Sequence, residues 1–209
     1  MENKNILLFP GGFKPFHDGH LSILESHISN IDKIHINNVY IIISPKSRDN
    51  IIADTTLWFL NNIKKNLIDY YKVDFNIEIS EFPSPIRRCY DMVNKGDLFD
   101  KFCLVTSNKD NDLQRKIDFV NSYQYIGKYY DLTKGEQTIM INANIKPEKF
   151  KRNDEYDNEN ISSTILRQDL KNEDYESFKT GYYKMLKNKI ININILNEYY
   201  KLLLKYTNL

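Results

Sequence analysis

The chain has 209 residues, the length of one α/β domain or of a small domain with an appended segment. A chain of this size buries roughly 70% of its unfolded surface and needs no disulfide or metal staple. Its 29 Lys and Arg against 28 Asp and Glu leave a net charge of +1, which argues against coating DNA or an acidic membrane as its main task.

In chain order, apolar strand-like runs alternate with helix-period segments, the pattern of a parallel sheet with crossover helices. Asn5 to Pro10 (NILLFP) reads as a buried central strand, followed by a glycine loop and a helix over Asp18 to Asn30. Val39 to Ser44 is the second strand, and Asp54 to Tyr71 a helix with Leu57, Leu60, Ile63 and Leu67 on one face. Trp58 in that helix reads as packing. Phe75 to Ser80 is a third strand, Ile86 to Lys95 a helix, Phe102 to Thr106 a fourth strand, Asp112 to Val120 a helix and Thr138 to Asn142 a fifth strand. Helices over Ser163 to Lys171, Asp174 to Lys187 and Ile193 to Tyr206 close the chain.

The expected fold is therefore α/β, a doubly wound parallel sheet of about five strands. Residues 1–170 form the main domain, and residues 171–209 a helical segment packed on it. Lys146 to Asn160 (KPEKFKRNDEYDNEN) is polar and aperiodic; a loop of this length inside a domain is usually functional or mobile. It is expected to order over a bound ligand.

Cys89 and Cys103 match neither a disulfide framework nor a zinc knuckle and read as free thiols. The longest apolar run, Val39 to Ile43, falls far short of the ~20 residues that span a bilayer. No secretory signal pattern is present, and a cytoplasmic protein is expected. The chain has two alanines, Ala53 and Ala143, amid abundant Asn, Ile, Lys and Tyr. That bias reads as A+T-rich coding sequence and not as disorder.

Chemistry concentrates in two places. The first is Gly11 to His20, GGFKPFHDGH, directly after the first strand. Gly11 and Gly12 let backbone approach a bulky ligand, Phe13 and Pro15 shape the loop, and Asp18 and Gly19 suit the turn that opens the helix. His17 and His20 are three residues apart and can share a face. Open amides at a helix start favour an anion, and Lys14 adds a full charge. Together these look like a cradle for a polyphosphate. As metal ligands the two histidines would lack a third His or Cys nearby, so no metal site is assigned. The P-loop pattern is absent. His27 and His35 read as ordinary residues.

The second is Ile161 to Arg167, ISSTILR. Ser162, Ser163 and Thr164 suit a helix start, where hydroxyls cap free amides, and Arg167 follows one turn later on the same side. Taken alone, a capping motif followed by a solvent-exposed arginine is the plainer reading.

Taken together, GGFKPFHDGH after the first strand and ISSTILR near the chain end resemble the nucleotidylyltransferase superfamily. The form of both motifs is most similar to nicotinamide mononucleotide and phosphopantetheine adenylyltransferases. The resemblance implies a Rossmann-like sheet and in-line attack by an acceptor's anionic oxygen on the α-phosphate of a triphosphate, with pyrophosphate leaving. It further implies that His17, His20, Lys14 and Arg167 serve catalysis. Gly11, Gly12, Phe13, Ser162, Ser163 and Thr164 would hold the nucleotide, His20 lying close to the α-phosphate. Relatives commonly carry Asp, Asn or Gln where this chain has Lys14, a departure that bears on how the acceptor or α-phosphate is held. The cytidylyltransferases' arginine-threonine-glutamate-glycine run is replaced here by Asp157, Asn158, Glu159 and Asn160, which favours ATP over CTP.

The expected partners are ATP and a small phosphorylated acceptor, first of all nicotinamide mononucleotide. Phosphopantetheine, cytidylyl transfer to an alcohol phosphate and a non-catalytic nucleotide-binding module are the alternatives. Mg²⁺ is expected to arrive on the triphosphate. Neither nucleic acid nor membrane is expected, and no interface marks a homo-oligomer, which stays open. For the acceptor, Lys46 and Arg48 follow the second strand at the sheet edge where ligands collect; a solvated loop is the equal alternative. Of Arg87 and Arg88, Arg88 is chosen as reaching the pocket, and Asp110 after the fourth strand is placed at the nucleoside. Lys184 to Asn188 (KMLKN) is faintly similar to a synthetase lysine loop and is set aside as coincidence.

Overall fold

A computed structural model describes residues 5–29, 36–95, 101–105, 118, 119, 122 and 161–207. Four strands form one parallel sheet: β1 (Asn5–Gly11), β2 (Asn38–Ile43), β3 (Asp74–Ile79) and β4 (Lys101–Leu104), in the order β3-β2-β1-β4. The helices are α1 (Asp18–Ser29), α2 (Ala53–Tyr71), α3 (Pro85–Lys95), α4 (Ser163–Lys171), α5 (Tyr175–Thr180), α6 (Tyr183–Lys187) and α7 (Ile193–Thr207). This is the expected α/β, Rossmann-like architecture. The fifth strand expected over Thr138 to Asn142, the segment Lys146 to Asn160 and nearly all of the helix expected over Asp112 to Val120 lie outside the described residues.

Successive side chains of a strand point to opposite faces, and β1 serves two cores in this way. Leu7 and Phe9 join a large core with Ile41, Ile43, α1, α2 and the C-terminal helices, whereas Ile6 and Leu8 face a second core with Ile42, Phe102, Leu104 and Cys89, Met92 and Val93 of α3. Burial on both faces is why NILLF carries no polar alternation. Cys89 is a free thiol inside the second core, and burial pushes its pKa far up. The side chain of Cys103 lies outside the description.

α7 lays Leu196, Tyr199, Tyr200 and Leu203 into the large core. Tyr199 stacks on Phe59 of α2 with ring centroids 4.2 Å apart, and its ring also lies 6.3 Å from that of Trp58. The C-terminal helices therefore share one core with the sheet. Asp174 to Lys187, expected as one helix, is two, broken at Gly181 and Tyr182. The cause is tertiary: a Cβ on Gly181 would lie 2.7 Å from Leu166 Cδ2 of α4, so the chain bends where it passes that helix. Among the described residues no helix is long and apolar enough to cross a membrane.

Candidate active site

All four strands end on one edge. Gly11 of β1 is paired with Ile43 of β2, and the Ser44 N–H donates to the Gly11 carbonyl at 2.8 Å. β2 and β3 step outward on one side of β1 while β4 lies on the other. The loop after β1 thus occupies the switch point where open α/β sheets bind ligands.

That loop is held from beneath. The Phe13 ring lies on Gly11, where a Cβ would meet it at 2.4 Å, so an aromatic ring of its own chain already requires glycine here. Phe13 itself, expected at the nucleotide, is buried with φ +50° and packs edge-on against Phe9, Phe16 and His20. Its role in the structure is to floor the site. The Thr56 hydroxyl of α2 donates to the Phe13 carbonyl at 2.6 Å. Gly12 is exposed, and a Cβ there would touch nothing within 4 Å. Lys14 is 2% exposed, its ammonium donating to the carbonyls of Gly12 (3.2 Å) and Ser44 (2.6 Å). Both partners are neutral, and burial lowers its pKa to about 8.

His17 and His20 have ring centroids 3.9 Å apart. The Gly19 N–H donates to His17 Nδ1 at 3.0 Å, which puts the proton of a neutral ring on Nε2. That nitrogen lies 3.2 Å from Ser163 Oγ, 146 residues away, and Ser163 in turn donates to the Pro15 carbonyl at 3.2 Å. His20 is fixed in the same manner: its Nδ1 accepts the His17 N–H at 3.3 Å, and its ring stacks on Phe16. Each imidazole therefore presents Nε2 away from its own turn.

The second motif opens α4. Ser162 caps the helix by accepting the Ile165 N–H at 3.3 Å, and Thr164 is exposed. Arg167, which the plainer sequence reading put in solvent, is only 4% exposed. Its Nη1 donates to the Lys14 carbonyl (3.0 Å), its Nη2 to Thr164 Oγ1 (3.2 Å) and its Nε to Asp49. One guanidinium thus ties α4 to the β1 loop and to the turn after β2. Asp49 and Asn50 have φ of +47° and +60°, the left-handed region that Asp and Asn tolerate best among non-glycines. The Arg167 hydrogen bond, more than any other influence, holds the Asp49 carboxyl below its ordinary pKa.

Two carboxylates went unassigned in the sequence reading, Asp49 and Asp18. In sequence Asp18 reads only as a turn residue. It is 1% exposed and accepts the N–H groups of Lys184 (2.6 Å) and Met185 (3.1 Å). Burial raises its pKa to about 7, against the pull of those two N–H groups and of the Lys184 charge. The helical spacing of Asp174 to Lys187 gave no sign of this contact, because it joins residues 166 apart.

The expected acceptor residues are less gathered. Lys46 and Arg48 are exposed in the loop after β2; the Lys46 N–H donates to Ser44 Oγ at 3.3 Å, and Arg48 bridges Ile51 through its main chain. The Arg88 guanidinium is taken up by Glu78 (2.8 Å), Asp91 (2.7 Å) and Glu81 (3.7 Å). Arg87 is the exposed neighbour, 5.2 Å above the Phe82 ring. Asp110 and His35 lie outside the described residues. His27 is buried, with Nδ1 2.7 Å from the Ile23 carbonyl. Lys184 of KMLKN pairs with Glu25 and lies 3.3 Å from Ser22. Among the described residues no group of three His, Cys, Asp or Glu is placed to hold a metal.

No family model matches the chain. Two curated proteins do, each along almost its whole length. The phosphopantetheine adenylyltransferase of Mycoplasma capricolum is 29% identical over 163 residues, 78% of this chain and 94% of that protein. The phosphopantetheine adenylyltransferase of Mycoplasma mycoides is 29% identical over 161 residues, 77% of this chain and 93% of its own. With the parallel sheet, these similarities support the resemblance to nucleotidyltransferases that the two motifs carry. The chain is thus similar, over about three quarters of its length, to adenylyltransferases of the nucleotidylyltransferase superfamily.

Proposed function

We propose that this protein transfers the adenylyl group of ATP to phosphopantetheine and releases pyrophosphate. The observation that carries the reading is the contact of His17 Nε2 with Ser163 Oγ at 3.2 Å, which unites two motifs 146 residues apart at the strand ends. The acceptor follows the two relatives, whose names specify phosphopantetheine. Nicotinamide mononucleotide, expected first from the sequence, is not what those relatives act on, and its same-class alternative takes its place.

In this reading an acceptor phosphate oxygen attacks the α-phosphorus, the new P–O bond forms as the α–β bridge breaks, and pyrophosphate leaves with the bridging oxygen. No covalent enzyme intermediate is needed. His20 donates from Nε2 to a non-bridging α-phosphate oxygen, and the Lys14 charge offsets the charge that develops there. The amides of Ser163 and Thr164 at the start of α4 receive the remaining phosphates, with the Ser163 and Thr164 hydroxyls beside them. Arg167 keeps α4 at the β1 loop. Mg²⁺ carried by the triphosphate neutralises phosphate oxygens.

The test crosses ATP and CTP, with Mg²⁺, against phosphopantetheine, nicotinamide mononucleotide and glycerol 3-phosphate, reading pyrophosphate release. Release with ATP and phosphopantetheine alone is expected. Release with nicotinamide mononucleotide alone would overturn the acceptor and keep the reaction. ATP binding without release for any pair would leave a nucleotide-binding module.

A further inference from the structure

We infer that Asp18 is a positioning residue for the transfer, through which the C-terminal stretch Gly181–Met185 fixes the turn that carries His17 and His20. The inference rests on the proposed role of those histidines. Asp18 makes three bonds to this one stretch: its N–H donates to the Gly181 carbonyl at 2.9 Å, and its two carboxylate oxygens accept from Lys184 and Met185. The stretch is fixed from its other side as well. Gly181 lies against Leu166 of α4, Met185 is fully buried, and the Lys184 side chain returns to Glu25 of α1.

Gly181–Met185 is therefore wedged between the helix of the first motif and the helix of the second. The distance between those helices sets the His17–Ser163 contact. The turn has no slack to absorb a shift, because the His17 ring lies over Gly19, where a Cβ would be 2.8 Å from His17 Cε1. An exposed helix start is capped equally well by Ser, Thr or Asn. A buried carboxylate is a costly choice unless both oxygens are bonded, as they are here. Its two acceptors fix an angle as well as a distance, and misplacement of reacting groups by about 1 Å lowers rates by about a hundredfold.

Asp18→Asn tests this. One amide oxygen replaces two carboxylate oxygens, so the N–H of Lys184 or of Met185 faces an NH₂. In the folded variant kcat is expected to fall by about tenfold or more, with KM for ATP within about threefold of wild type. The ring resonances of His17 and His20 are expected to move in ¹H–¹⁵N spectra while those of His27, buried elsewhere in α1, stay in place. A purely structural role would lower thermal stability without selecting those two rings. Wild-type kcat in folded protein, or unmoved His17 and His20 resonances, would overturn the inference. If Asp18→Asn does not fold, Gly181→Ala is judged by the same two readouts, since its methyl pushes the stretch off Leu166 with Asp18 intact. If the wild type lacks transferase activity, the proposed function fails, and the histidine resonances alone decide the positioning.

Discussion

The two ends of the candidate site are built differently. At the proposed nucleotide end the charged and polar groups are buried and bonded: Lys14, His17 and Arg167 are each 4% exposed or less, and every one is anchored to a carbonyl, hydroxyl or carboxylate of another segment. At the proposed acceptor end Lys46 and Arg48 stand in solvent, and Arg88 is occupied by its own carboxylates. Groups aimed at a developing charge contribute most when they are fixed before the reaction begins. Groups that only recognise a substrate can settle around it. The contrast predicts that changes at the buried end act on kcat, and that changes at the exposed end act on the acceptor's KM.

The largest effect is expected at His20. Its Nδ1 is held by the His17 N–H and its ring by Phe16 and Phe13, so the imidazole is fixed in place. His20→Ala should lower kcat by about a hundredfold to a thousandfold, the range for removing one preorganised donor. ATP binding, measured by calorimetry, should survive. If turnover is unchanged, the buried end is scaffold and the proposed mechanism fails with it.

The same contrast separates what the sequence reveals from what it hides. The sheet is legible because strands buried on both faces read as unbroken apolar runs, as in NILLF. The two motifs are legible because glycine pairs, histidines and hydroxyls cluster beside strand ends and helix starts. The burial of Arg167 is not legible: its spacing from Thr164 tells which helix face it shares, but not that Asp49, 118 residues away, meets that face. The break at Gly181 is hidden for the same reason, since helical periodicity runs through it and only Leu166 and Asp18 reveal the cause. The burial of Phe13 is hidden too, because a motif position next to the site is filled by a core ring.

Lys14 gives a pH test of intermediate size. Burial lowers its pKa to about 8 from an ordinary 10.5. The folded chain then holds this proton less tightly than the unfolded one, so the buried charge opposes folding below about 8, and this contribution to stability rises between about 8 and 10.5. Activity is expected to move the other way, because the phosphates need the charge. kcat/KM should show an alkaline limb near pH 8, falling about tenfold per pH unit beyond it. Lys14→Arg, which keeps its charge throughout this range, should remove the limb even if its larger head lowers the plateau. An unmoved limb would assign it to another group and take Lys14 out of the charge-stabilising role.

The smallest effects are expected at Lys46 and Arg48. Both are exposed, and an exposed charge interaction contributes up to about 1 kcal/mol, or roughly fivefold in an equilibrium constant. Lys46→Ala and Arg48→Ala should each raise KM for phosphopantetheine by less than about fivefold, leaving kcat and KM for ATP within error. Screening supplies an independent check: the Debye length shrinks from about 10 Å at 0.1 M salt to about 3 Å at 1 M. Added salt should therefore weaken acceptor binding in the wild type more than in the double variant. The comparison breaks if KM for ATP rises instead, because the loop after β2 would then serve the triphosphate. Asp49, in that same loop and bonded to Arg167, would in that case make one nucleotide site of the two motifs and this turn, and the acceptor would have to be held elsewhere along the sheet edge.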